Sequence, residues 1–98
     1  MPLVFKGLAF YEPNSGDVRF TGENLAKGAE PPFAICHIGA DVLTTLGKSR
    51  NPDPRQLMRV FHKNREVIYE AASAKFDRGD RHPRVTIRDI MLDRKSVV

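Results

Sequence analysis

The segment from Asp53 to Gly79 constrains the fold more than any other part of the chain. Asp53 is a preferred N-cap residue and Pro54 suits the first helical position, so a helix is predicted to begin here. Gly79 predicts the end of this helix near Arg78. At about 1.5 Å of rise per residue, such a helix is nearly as long as a small domain is wide. We therefore expect the rest of the chain to be organised around it.

One side of this predicted helix is apolar. Residues at the spacing i, i+3, i+4, i+7 form the face that packs on a sheet, and here they are Leu57, Val60, Phe61, Ile68, Ala71 and Ala72. Charged residues fall on the opposite side, as a solvated face requires: Arg59, Glu66, Glu70 and Asp77. The segment is therefore predicted to cover one face of a sheet.

Three segments that precede the helix have the composition of β-strands. Leu3 to Tyr11 and Val18 to Thr21 are separated by turn-forming residues at 13–17, which predicts a hairpin. Phe33 to Ile38 is apolar at nearly every position, which predicts a central strand with both faces covered.

Two further elements are predicted from shorter patterns. Gly39 to Gly47 has apolar residues at helical spacing and ends at a glycine, which is typical of a helix C-cap, so a short helix is expected. Arg84 to Arg88 alternates between polar and apolar residues. This alternation predicts a fourth strand with Val85 and Ile87 directed inward.

The resulting order, β-β-β-α-α-β, indicates the α+β class. We expect a small antiparallel sheet of about four strands with a short and a long helix packed on one face. With 98 residues, of which 41% are hydrophobic and 29% charged, the chain has the size and balance of a single folded domain. We assign residues 1–92 to this α+β domain and residues 93–98 to a flexible basic tail.

The chain contains one cysteine, Cys36, and so cannot form an internal disulfide. A small domain without such a staple fits a reducing compartment, and the predicted localisation is cytoplasmic. The first residues lack a signal-peptide pattern, since Lys6 interrupts the apolar run and Pro13 follows soon after. No stretch approaches the roughly 18 consecutive apolar residues of a membrane span, so no membrane partner is expected.

The sequence lacks the usual motifs of catalysis, cofactor binding and metal binding. Cys36 and His37 are neighbours in a predicted strand and point to opposite faces, which prevents them from acting as nucleophile and base. Cys36 is therefore predicted to be a core residue. The three histidines and the cysteine lack zinc-ligand spacing, and the single glycines form no phosphate-binding loop. We expect no catalytic residue, no cofactor and no metal site.

Asn64 is a polar residue on the apolar face of the predicted long helix. A buried amide needs a hydrogen-bond partner. In the interpretation that we favour, the amide bonds the backbone of a nearby loop or sheet edge and fixes the position of the helix. In the alternative, Asn64 and the adjacent Arg65 form a small polar pocket for an anion or a partner.

The net charge of +4 is distributed unevenly along the chain. Residues 1–47 contain three basic and five acidic residues and residues 48–98 contain 13 basic and seven acidic residues, which gives net charges of −2 and +6. Arg55 and Arg59 lie in the first turns of the long helix, where the helix dipole favours anions rather than cations. Arg84 and Arg88, with Arg19, are predicted to occupy outward strand positions and to form a basic stripe that tracks phosphates.

Several motifs of the chain occur together in a known family. They are V-R-F in the second strand, I-C-H-I in the third, F-x-x-N-R-x-x-I in the long helix and V-x-I in the last strand. With these motifs the chain resembles, over residues 3–90, the small bacterial proteins of domain of unknown function family 1488. The resemblance implies a compact cytosolic α+β domain and implies no activity.

Three functions are consistent with these features. The first is a non-enzymatic bacterial accessory domain that binds a partner macromolecule, with the candidate residues Asn64, Arg65, Arg55, Arg59, Arg84 and Arg88. The second is weak nucleic-acid binding or regulation through the basic second half. The third is a small enzyme, which would need a concave pocket with a group such as His62 near a carboxylate. The edge strands either pair across a dimer axis or are protected by charge, so the oligomeric state is left open.

Overall fold

The computed structural model describes residues 3–25, 28, 32–48, 50 and 52–96, with all of their side chains except those of residue 8 and residues 92–96. The described residues form four strands and four helices. In chain order they are β1 (Leu3–Tyr11), β2 (Val18–Asn24), β3 (Phe33–Ile38), α1 (Ala40–Gly47), α2 (Pro54–Lys63), α3 (Arg65–Asp77), β4 (Arg84–Val85) and α4 (Ile87–Ser96). No helix in this part of the chain is long and apolar enough to cross a membrane.

The strands form one sheet in the order β1-β2-β3-β4. β1 and β3 pair antiparallel with β2, whereas β4 pairs parallel with β3. The predicted α+β class and the hairpin are confirmed, but the prediction of a wholly antiparallel sheet is wrong. The reason is that α1, α2 and α3 together carry the chain back along the sheet, so that β4 runs in the same direction as β3.

Burial alternates along β3, because the helices cover only one face of the sheet. Its inner side chains are Ala34, Cys36 and Ile38, which are buried, whereas Phe33 and Ile35 are exposed. The prediction that both faces of this strand are covered is therefore wrong. Its outer apolar positions belong to an open sheet face.

The predicted helix from Asp53 to Arg78 is divided into α2 and α3 at Asn64. Its start is confirmed by a capping box, in which Gln56 N donates to Asp53 Oδ1 at 2.8 Å and Asp53 N donates to Gln56 Oε1 at 2.9 Å. Beyond α3, Gly79 has a φ of +100°, as expected for a helix end. The predicted continuity is wrong, since Asn64 has φ −109° and ψ 15°, outside the values of a regular α-helix.

Aromatic rings join the hairpin to α2 and α3. The ring of Phe20 in β2 lies 5.2 Å from the ring of Phe61 in α2. The ring of Phe5 in β1 stacks on that of Tyr69 in α3 at a centroid distance of 4.2 Å. Gly22 leaves room for this stack, because a Cβ atom there would lie 2.8 Å from Phe5 Cε1. These contacts fix both helices on the inner face of the sheet.

α1 confirms the predicted short helix, but it ends differently from the prediction. The residue with the left-handed conformation is Lys48, with φ 54°, rather than Gly47. Gly47 is the last helical residue, and a Cβ atom there would lie 2.6 Å from Val60 Cγ2. The glycine therefore allows α1 to pack closely on α2 instead of providing the left-handed turn.

The predicted strand from Arg84 to Arg88 is wrong beyond Val85, where β4 ends. Thr86 and Asp89 form a capping box instead, in which Thr86 N donates to Asp89 Oδ2 at 2.8 Å and Asp89 N donates to Thr86 Oγ1 at 3.3 Å. These bonds begin α4 at Ile87. Local hydrogen bonding outweighs the alternation of polar and apolar residues on which the strand prediction depended.

The first turns of α4 belong to the core, since the side chain of Ile90 is fully buried. The helix extends to Ser96, and residues 97 and 98 lie outside the described residues. The division into a domain at residues 1–92 and a flexible tail at residues 93–98 stays a prediction.

Asp89 also ties α4 to α3, because its Oδ2 lies 3.0 Å from Nζ of Lys75. Burial by itself would raise the pKa of Asp89. The hydrogen bonds from Thr86 and Lys75, together with the charge of Lys75, outweigh burial and lower the pKa of Asp89 below its ordinary value.

We expect Asp89→Asn to lower the free energy of unfolding at pH 7 by about 1 kcal/mol. Because the pKa of Asp89 is lower in the folded protein, its carboxylate stabilises the fold above the pKa of the unfolded chain and loses this effect as the pH falls through the folded value. Urea unfolding should therefore show a difference between wild type and variant that shrinks below about pH 4. Asp77→Asn removes an exposed carboxylate at the end of α3 and is the control. Equal losses for both variants would contradict this role of Asp89.

Ser73 of α3 is fully buried, and its Oγ has no hydrogen-bond partner among the described atoms. A buried hydroxyl without a partner costs about 1–3 kcal/mol. Ser73→Ala should therefore raise the free energy of unfolding, measured in urea, by about 1 kcal/mol. Ser15→Ala, at an exposed turn where the hydroxyl accepts from Asp17 N at 3.3 Å, should change it by less than about 0.5 kcal/mol. A less stable Ser73→Ala variant would refute the prediction.

Candidate functional site

α2 presents basic side chains without acidic ones. Its sequence, PRQLMRVFHK, contains Arg55, Arg59 and Lys63 but no aspartate or glutamate. All three are exposed, and no carboxylate among the described residues lies within ion-pair distance of them. The outer side of α2 therefore carries positive charge that forms no ion pair with the described residues.

A groove lies between α2 and the end of β1, which we call the α2 groove. It is lined by Tyr11, Pro54, Arg55, Met58, Arg59 and His62. Four of these residues have the helical spacing i, i+3, i+4, i+7 and so share one side of α2. The groove is open to solvent and has a volume of about 520 Å³.

The α2 groove combines two kinds of chemistry. Arg55 and Arg59 are one helical turn apart, and each guanidinium can donate two parallel hydrogen bonds to a carboxylate or a phosphate. Met58 and the ring of Tyr11 are half-buried and provide an apolar surface beside the arginines. The arrangement is suited to a ligand that carries an anionic group next to an apolar or planar one.

Arg84, in contrast, is bound to an acidic partner in the structure. Its Nη1 and Nη2 lie 2.8 and 3.2 Å from the two carboxylate oxygens of Asp17. This hydrogen bond raises the pKa of Arg84, and the charge of Asp41 acts in the same direction. Arg84 and Asp41 also line a small cavity of about 180 Å³ at the start of α1. The positive charge of Arg84 is therefore balanced by its neighbours.

The structure places only two of the three arginines of the predicted basic stripe together. Arg19 and Arg84 do lie in one row across the outer face of the sheet, on either side of His37. Arg19 Nε lies 3.5 Å from a carboxylate oxygen of Glu12, so both arginines in this row have an acidic neighbour. The prediction that Arg88 lies on a strand is wrong, because it is an exposed residue of α4.

The side chain of Asn64 is half-buried at the junction of α2 and α3. Its Nδ2 donates to Val60 O at 2.9 Å, so its partner is the preceding helix rather than a loop or a sheet edge. Its backbone N–H is shared between Val60 O and Phe61 O. Arg65 begins α3 and is exposed. The two candidate residues are adjacent, but the amide nitrogen of Asn64 already has a partner within the fold.

Cys36 is fully buried on the inner face of β3, as predicted for a core residue, and His37 lies on the outer face. Burial, and to a smaller extent the charge of Asp80, raises the pKa of the Cys36 thiol to about 12. The thiol donates weakly to Ala34 O, at 3.8 Å. Cys36 is therefore a protonated thiol at neutral pH. No group of three or more His, Cys, Asp or Glu residues in the described part of the chain could hold a metal ion.

Tyr11 and Met58 line this groove but are not among the site residues predicted from the sequence. Met58 follows the same helical spacing as Arg55 and Arg59, so the pattern could have identified it. Tyr11 could not have been identified, because only the packing of the hairpin on α2 brings the end of β1 to the arginines.

Comparison with known proteins supports the fold. No family model and no curated protein matches the chain. The chain is similar to a crystal structure of a protein of unknown function from the DUF1488 family of Shewanella loihica PV-4, with 19% sequence identity and a TM-score of 0.71. The alignment covers 86% of this chain and 91% of that chain. At this identity the likeness concerns the fold alone, and it confirms the resemblance to the DUF1488 family that the sequence motifs predict.

Proposed function

We propose that the protein is a non-enzymatic bacterial accessory domain that binds an acidic segment of a partner protein in the α2 groove. The observation that carries this proposal is the pair of exposed arginines, Arg55 and Arg59, with no carboxylate among the described residues in ion-pair distance. The cytoplasm is the proposed compartment, in keeping with a single cysteine that is buried as a thiol.

Electrostatics favour an acidic ligand at this position. Like charges at i and i+4 of a helix repel, which costs about 0.2–0.5 kcal/mol per pair. Arg55 also lies in the first turn of α2, where the helix dipole is positive. Carboxylates of a partner would relieve both effects and form charge-assisted hydrogen bonds with the guanidinium groups.

The apolar part of the groove favours a protein segment over an inorganic anion. Met58 and Tyr11 present a flexible thioether and an aromatic ring between which a partner side chain can be buried. Aromatic, methionine and arginine residues are enriched at protein interfaces, and this groove contains all three types. The partner segment is therefore expected to carry acidic residues on either side of an apolar one.

Nucleic-acid binding is the second candidate, and one observation favours it. The ring of Tyr11 lies in the same groove as Arg55 and Arg59, an arrangement in which a base stacks on the ring while the arginines bind phosphates. A catalytic role receives less support, because none of the described residues that line the groove beside His62 is a carboxylate.

We expect Arg55→Glu/Arg59→Glu to weaken binding of a fluorescein-labelled peptide of glutamate and leucine by at least about tenfold, because both anchoring charges are reversed. The measurement is fluorescence anisotropy, with folding of each variant checked by circular dichroism. Arg78→Glu/Arg88→Glu is the matched control, since it changes the net charge equally at exposed positions outside the groove. Equal weakening by both double variants, or no binding by the wild type, would refute the α2 groove as the site.

The same assay with single-stranded DNA of about 20 nucleotides separates the two candidates. Binding to DNA that is tighter than binding to the peptide and falls steeply between about 50 and about 200 mM salt would replace the first candidate with the second.

Asn64→Ala tests whether Asn64 acts in binding or in the fold. The substitution removes the hydrogen bond from Nδ2 to Val60 O, so we expect the free energy of unfolding to fall by about 0.5–1.5 kcal/mol. Peptide affinity should be unchanged, since neither Asn64 nor Arg65 lines the groove. Loss of affinity with unchanged stability would instead support the polar pocket at Asn64 and Arg65.

A further inference from the structure

The outer face of the sheet is not covered by any helix in the described part of the chain, and it carries large apolar side chains. Phe10 and Val4 of β1 are 56% and 37% exposed, and Phe33 and Ile35 of β3 are 56% and 40% exposed. These four residues make up most of the exposed large hydrophobic residues of the described chain. An apolar surface of this kind is typical of an interaction site.

β2 runs between these two apolar strips and carries charges of opposite sign. Its outward residues are Arg19, Thr21 and Glu23, in that order along the strand. The register places Thr21 beside Ile35, so these two residues form the middle row of the face. Along the outer side of β2, the side chains are therefore positive at one end, negative at the other and neutral in the middle.

We propose that this outer face binds a second copy of the chain, with a two-fold axis that crosses the strands at the row of Thr21 and Ile35. This axis reverses the strand direction between the copies. Arg19 of each copy then faces Glu23 of the other, and the two Ile35 side chains meet at the axis. With this axis, the charged residues of β2 in one copy face residues of opposite charge in the other copy.

The salt bridges within one copy extend this complementarity. Glu23 binds Lys6 at 3.0 Å, and Arg19 lies 3.5 Å from Glu12. When Glu23 contacts Arg19 of the other copy, these two pairs join into a row of four charges of alternating sign, in the order Lys6, Glu23, Arg19 and Glu12. The two-fold symmetry produces two such rows in the dimer. A two-fold axis along the strands would instead place Arg19 on Arg19 and Glu23 on Glu23, which is repulsive.

The exposed apolar residues of β1 fit the same orientation. Val4 lies at the Glu23 end of the face and Phe10 at the Arg19 end, so Val4 of one copy packs on Phe10 of the other. Two sheets stacked in this way form an aligned sheet-on-sheet packing. About ten residues of each copy take part, fewer than in a standard interface of roughly 20–30 residues a side, so we expect a dissociation constant of about 10–100 µM.

This interface leaves the α2 groove accessible. Tyr11 pairs with Val18, whose side chain points to the helix-covered face, so the groove lies on the opposite side of the sheet from the proposed interface. The dimer and the peptide-binding site can therefore be tested independently of each other.

Sedimentation equilibrium from about 1 to about 500 µM tests the proposal. The wild type should pass from monomer to dimer over this range. Ile35→Glu should remain a monomer, because two carboxylates would meet at the axis, whereas Met91→Glu, at an exposed position on α4, should dimerise as the wild type does. A wild type that is monomeric throughout, or an Ile35→Glu variant that still dimerises, would overturn the proposal.

Charge exchange tests the direction of the axis with variants that keep the hydrophobic surface. Arg19→Glu should weaken the dimer at least about tenfold. Arg19→Glu/Glu23→Arg should recover part of this loss, because the exchanged charges again face each other across the axis. Recovery is only partial, since each exchanged residue then repels its former partner within the same copy, Glu12 or Lys6. If the double variant is no better than the single one, the proposed orientation is wrong. Circular dichroism of each variant confirms that the fold is retained.

Discussion

The contact between Phe20 and Phe61 is the interaction on which the rest of the structure depends. Phe20 lies in β2, the strand that pairs with both β1 and β3, and its ring also approaches those of Phe5 and Tyr69. One side chain thus joins the hairpin to both α2 and α3. Because Phe61 holds the inner side of α2 on the sheet, the directions in which the other sides of α2 face are fixed as well. The arginines of α2 face the end of β1 as a consequence of this core contact.

Those parts of the fold that depend on local chemistry could be predicted from the sequence. The turn at residues 13–17 and the cap at Asp53 are decided by neighbouring residues, and both are present in the structure. Parts that depend on the path of the chain through space could not be predicted in this way. The parallel pairing of β4 is set by three helices that precede it, and the break at Asn64 lies within an apolar face that continues on both sides of it. Thr86 and Asp89 were a local signal for α4, but the alternation of residues 84–88 pointed to a strand.

The same distinction explains which site residues sequence analysis could identify. Arg55 and Arg84 are equivalent as charges along the chain, and both belong to its positive second half. Arg84 is balanced by Asp17, which lies 67 residues away in sequence, whereas no carboxylate among the described residues lies within ion-pair distance of Arg55. A count of charges along the chain does not show which of them pair with each other in the folded protein. The excess positive charge therefore becomes a defined surface only when the strands and α2 are packed together.

The two proposed surfaces would act together, because dimerisation through one of them brings two copies of the other into a single assembly. One is the cationic groove on the helix-covered side of the sheet, and the other is the self-complementary outer face. A dimer formed through the outer faces carries two grooves, one on each side of the stacked sheets. A partner with two acidic segments joined by a sufficiently long linker then binds the second groove at a high effective concentration, which raises its apparent affinity without any new contact. Because such a gain requires the dimer, partner binding and self-association would be linked thermodynamically, and each would strengthen the other.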